Sequence, residues 1–208
     1  MTSTVLTPPA ARRPRLLRLH LLSRQAPGAV ALLVACAALL RVAAQLHWLQ
    51  GDGAAAHQIL LLAECAAASV VAVAAHNPFG ESERTTGPQL PLLRLTTTLL
   101  LTATAATTLL LATTATHLPG GPLALLRDLT GLTGLGFLTA ATLSAPLAWL
   151  GPLTYTALAA FALQETWHSP LTWPARPPHD PPALLCATLV FATGTALMTA
   201  RGPREGDA

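Results

Sequence analysis

The charged side chains set deepest in apolar sequence are Arg41 and Glu64. If both runs are helices joined by the turn Gly51-Asp52-Gly53, they are antiparallel neighbours. At 1.5 Å rise per residue, Arg41 then lies ~12 Å from the shared end and Glu64 ~15 Å from it, so the two are placed to meet at one depth. An isolated charge near the centre of a bilayer costs at least ~2.5 kcal/mol, so pairing is the natural solution. Three readings stay open: a polar lining of a translocation route or protonatable site, a structural ion pair between helices, and separate partners for each.

A second group of chemistry-bearing residues stands between apolar runs. Glu81-Ser82-Glu83-Arg84-Thr85-Thr86-Gly87 forms a compact charged stretch, opened by Pro78 and Gly80 and limited by Pro88 and Pro91. Such a segment suits a short helix at a membrane surface, docking into another protein. The remaining titratable residues carry less. The seven histidines are scattered, mostly at run ends or in loops, and set no metal ligand pattern. Cys36, Cys65 and Cys186 each sit in an apolar run, with no disulfide or zinc spacing. No nucleophile–base arrangement is readable, so no catalytic residue is assigned and the chain is not read as an enzyme. All twelve basic residues are Arg. Without lysine the chain cannot hold a standard P-loop or form a Schiff base, so it binds no cofactor of that kind itself.

The elements that must position these residues follow from composition. Of 208 residues, 52 % are hydrophobic and only 10 % charged. A soluble domain carries about 25 % charge. The apolar residues gather into six runs, over about 28–49, 54–75, 95–115, 123–143, 147–163 and 183–200. Each is near the ~20 residues needed to cross hydrocarbon as a helix. The fold class is therefore all-α: a polytopic membrane protein of six spans. Residues 11–25 mix five arginines with five leucines, the pattern of an amphipathic helix lying in the membrane interface. The domain plan is a tail and interfacial helix over 1–27, a transmembrane unit over 28–200, and a tail over 201–208.

Finer signals sit within the spans. The third is rich in Thr, whose hydroxyls can bond carbonyls one turn back and so survive in lipid. On the fourth, Thr130, Gly131, Gly134 and Gly136 make a small-residue face that lets another helix approach closely. Only Ser144-Ala145-Pro146 separates spans four and five, which predicts a tight hairpin. Trp167 and Trp173 in the Pro-rich stretch 164–182 are placed as interfacial anchors. With both termini cytoplasmic, nine arginines lie inside and Arg127 and Arg176 outside, with Arg41 in a span. That distribution satisfies the positive-inside rule for a bacterial inner-membrane protein.

The order of these features resembles the membrane subunit of ABC-2 type exporters, here a small member. Residues 11–25 are similar to that family's amphipathic helix before the first span. The segment 77–94 is similar to its cytoplasmic coupling helix between spans two and three. Glu81, Glu83, Arg84, Thr85, Thr86 and Gly87, followed by Leu90, Leu92 and Leu93, look like the family's acidic-Arg pair, small residue and Gly, and Leu-rich stretch. The stretch 164–182 stands where the family has its external insertion. Pro88 and Pro91 depart from the family's register after the glycine. The resemblance implies a permease working with a separate ATP-binding subunit, which holds the ATP and Mg, and with a second permease copy or paralogue. It implies lipid as the surrounding partner and no nucleic acid. The alternative is a non-transporting accessory or scaffold membrane protein.

Overall fold

The computed structural model describes residues 26–49, 53–75, 90–114, 120–165, 169 and 171–201. Among them the chain is all helical, with no strand. The long helices are α1 (Ala26–Gln45), α2 (Ala54–Ala74), α3 (Leu90–Ala112), α4 (Gly121–Thr142), α5 (Leu150–Glu165) and α6 (Pro181–Arg201). A 3-10 turn at Ala145–Leu147 leads into α5, and another at Trp173–Ala175 precedes α6. All six apolar runs can cross a membrane by length and composition, with α5 extended by the turn before it. The protein is thus a multi-pass membrane protein. The proposed interfacial helix at 11–25 lies outside the described residues, as do Glu81, Glu83, Arg84, Thr85, Thr86 and Gly87.

Helix ends follow from local chemistry. The first apolar run extends to Leu49, but α1 stops at Gln45. His47 takes a left-handed conformation at φ 66°. Its N–H donates to Ala44 O and that of Trp48 to Ala43 O, the two bonds of a Schellman motif. At the other side of the bundle, α3 begins at Leu90, before the expected 95, because Pro91 sits in its first turn, where a missing N–H is harmless. Gly120 and Gly121 both hold positive φ, 74° and 76°, and turn the chain into α4. Residues with a Cβ rarely adopt that conformation.

Packing centres on α4, the most buried of the spanning helices. Its face toward α6 is made of glycine. A methyl group placed on Gly134 would stand 2.5 Å from Phe191 Cα, and one on Gly194 would stand 2.4 Å from Gly134 O. One on Gly136 would meet Ala72 Cβ of α2 at 2.6 Å. The small-residue face therefore does admit close neighbours, on two sides. Leu125, Leu129, Leu132 and Phe137 of α4 pack with Leu60, Leu61, Ala68 and Val71 of α2 to form the core. Spans four and five form the expected hairpin: Thr139 Oγ1 donates to Ala148 O at 2.8 Å across the turn. By contrast α1 exposes Leu32, Val34, Leu39 and Val42, a surface suited to lipid.

The threonines of α3 behave as the sequence implies. Thr102 donates to Thr98 O (2.8 Å) and Thr104 to Leu100 O (2.7 Å). Thr98, Thr107 and Thr108 make the same kind of bond. Their hydroxyls are satisfied within the helix, at no cost in apolar surroundings.

Candidate functional site

The structure does not bring Arg41 and Glu64 together. Because α1 ends early, Arg41 lies within its last two turns rather than at Glu64's depth. Its Nη1 donates to Ala112 O (3.2 Å) and Thr114 O (2.5 Å) at the end of α3. The last carbonyls of a helix have no intrahelical acceptor role left to fill, and the helix dipole favours a cation there. Arg41 thus has partners of its own, on α3.

Glu64 instead faces a charged centre that the sequence reading did not assemble. It lies near the middle of α2 with 1 % of its surface exposed. Arg127 and Asp128 of α4 are within electrostatic reach of it. The Arg127 side chain is fully buried and its Nε donates to Asp128 Oδ1 at 2.9 Å. Its Nη1 donates to Pro177 O at 2.8 Å and its Nη2 to Arg176 O at 3.3 Å. Three donors of the guanidinium are thereby used, which is how a buried arginine is tolerated.

The acceptors for Arg127 come from the stretch before α6. Pro174, Pro177 and Pro178 contribute no N–H, so this backbone has more carbonyls than donors. Two further contacts hold it in place. Arg176 Nε donates to Asp180 Oδ2 at 2.6 Å, just before α6 begins. Trp173 stacks on Tyr155 of α5 with ring centroids 4.3 Å apart, and the Tyr155 hydroxyl donates to Leu171 O at 2.6 Å. Trp173 is not an interfacial anchor. It is 2 % exposed and lies over Gly131, where a methyl group would stand 2.5 Å from its Cζ2. The glycine makes room for the indole, and the indole draws the loop inward. Trp167 lies outside the described residues.

Between these parts is a cavity of about 330 Å³. It is lined by Glu64, Arg127 and Asp128 and by His57, Leu60, Leu61, Ala124 and Leu163. The loop residues Pro174–Pro178 cover one side. His57, Leu60, Leu61 and Glu64 share a face of α2 because they follow the i, i+3, i+4, i+7 spacing. Glu64 Oε1 is buried and has no hydrogen-bond partner among the described residues. Ionisable residues set within membrane spans make this group the candidate site. No group of three metal-ligating side chains occurs among the described residues.

The sequence held a signal for this centre. Arg127 and Asp128 are adjacent opposite charges inside an apolar run, and such a doublet needs a shared polar environment. No family model, curated protein or solved structure matches this chain.

Proposed function

We propose that this chain is the membrane subunit of an ATP-driven exporter of the ABC-2 type, working with a separate ATPase. The observation that carries the transport reading is the cavity between α2, α4 and the Pro-rich loop, lined in part by Glu64, whose Oε1 has no hydrogen-bond partner among the described residues. A scaffold has no use for an unpaired carboxylate oxygen in a cavity, whereas a permease needs a polar site within its helices.

The ATP-driven part rests on sequence. The charged segment Glu81–Gly87 stands between spans two and three, where a coupling helix would meet an ATPase. In this reading both termini and the 77–94 segment face the cytoplasm of a bacterial cell. The cavity then faces the outer side, with the end of the molecule that carries Gly120 and the Pro-rich loop. A second copy or a paralogous permease completes the transporter. ATP and Mg are held by the ATPase subunits. The test is purification of the full chain from its native membrane in mild detergent. Recovery of an ATPase with it supports the reading, and a partner set with no ATPase contradicts it.

A further inference from the structure

The chemistry of the cavity specifies what it would hold. Its lining carries two carboxyl groups, Glu64 and Asp128, and two guanidiniums, Arg127 and Arg176. Arg127 is directed to Asp128 and to the Arg176 and Pro177 carbonyls. Arg176 is matched by Asp180. What remains is the Glu64 carboxyl group, with an oxygen that accepts no hydrogen bond among the described residues.

A second acceptor stands nearer the mouth. His57 Nδ1 lies 3.3 Å from Gly53 O, and donation to that carbonyl leaves Nε2 as an acceptor. Glu64 Oε1 and His57 Nε2 are thus two acceptors at this cavity, the complement of a group that brings N–H. The walls between the two acceptors are apolar: Leu60, Leu61, Ala124 and Leu163. A bare metal ion would need several converging oxygen ligands, and the described residues provide no such group. A ligand with an apolar body uses these walls, and about 330 Å³ is at the small end of ligand pockets, which run ~300–1,000 Å³.

We propose that this cavity binds a small primary ammonium ion with an apolar body, its ammonium on Glu64 and its body along Leu60, Leu61 and Leu163. The proposal deepens the transport reading and rests on it for its biological meaning, while binding itself needs no ATPase.

The experiment is calorimetric titration of the purified full chain in detergent with benzylamine, and with benzyl alcohol as a neutral ligand of the same shape. Wild type should bind benzylamine saturably, one per chain. Benzyl alcohol should bind at least tenfold more weakly, and Glu64→Gln should weaken benzylamine at least tenfold. A second variant guards against misfolding of the first. Ala54→Trp, at an exposed position on the cavity's rim, should also remove binding by obstruction. Absence of saturable binding overturns the proposal. So does equal affinity for amine and alcohol, or an affinity untouched by both variants. The two claims fail separately. Glu64-dependent binding in a protein that recovers no ATPase sinks the exporter reading alone, and an ATPase partner without amine binding sinks this inference alone.

Discussion

Replacing Arg127 by Met removes the group that ties α4 to the loop before α6. The side chain is fully buried, and three hydrogen bonds go with it: to Asp128 Oδ1 (2.9 Å), Pro177 O (2.8 Å) and Arg176 O (3.3 Å). The carbonyls lie toward the end of the bundle, where water can replace the guanidinium in part. The Asp128 carboxylate is left without its cation. Breaking a buried pair in this way costs ~3–5 kcal/mol, most of it the penalty of the orphaned charge. Asp128→Asn should cost less, because Arg127 keeps both carbonyls. The double change Arg127→Met/Asp128→Asn removes both charges and should be more stable than Arg127→Met alone, giving a coupling of ~2 kcal/mol or more. Reversible unfolding with sodium dodecyl sulfate in mixed micelles measures all four species. Additive effects within ~0.5 kcal/mol, or an unaltered Arg127→Met protein, would refute the reasoning.

Two further outcomes follow from the packing and the polar contacts. Gly194→Ala puts a methyl group 2.4 Å from Gly134 O and should cost ~1–3 kcal/mol by overpacking, whereas Gly28→Ala, with nothing within 4 Å, should not destabilise. The same unfolding assay reads both, and equal effects would show that α4 and α6 do not cross at these glycines. Arg41→Met and Glu64→Gln should act additively, since Arg41 bonds to Ala112 and Thr114 and Glu64 does not reach it. A coupling above ~1 kcal/mol in the double-mutant cycle would show that they meet after all.

The helices were legible because lipid imposes a simple rule on sequence. Six apolar runs of span length became six helices, and the Thr-rich and Gly-rich faces did in the structure what their side chains allow. Helix ends were harder to read. No glycine marks the stop after Gln45, because His47 takes the left-handed position that glycine usually fills. The site was the least legible part. Arg127 is held largely by backbone carbonyls some fifty positions away in sequence, at Arg176 and Pro177, and a carbonyl leaves no signature in side-chain order. Trp173 carried the signal of an interfacial residue, but a long-range partner decided its place: Gly131 left the space its ring fills. Arg41 found its partners on α3 and Glu64 its charged neighbours on α4, in each case a helix not adjacent in sequence to its own.

The claim that this chain works with a separate ATPase is tested most directly through Glu81, Glu83 and Arg84. The combined change Glu81→Ala, Glu83→Ala, Arg84→Ala alters no residue of the six spanning helices, which are held by internal backbone hydrogen bonds and by packing between spans. Expression and detergent stability should stay near wild type. Interface truncations cost ~2 kcal/mol or more at the few residues that matter, enough for at least a tenfold loss of affinity. The measurement is recovery of ATP-hydrolysing partner per mole of purified chain, wild type beside triple variant. The account predicts a partner with the wild type and at least a tenfold loss in the variant. Equal recovery from both, or no ATPase with either, would contradict it.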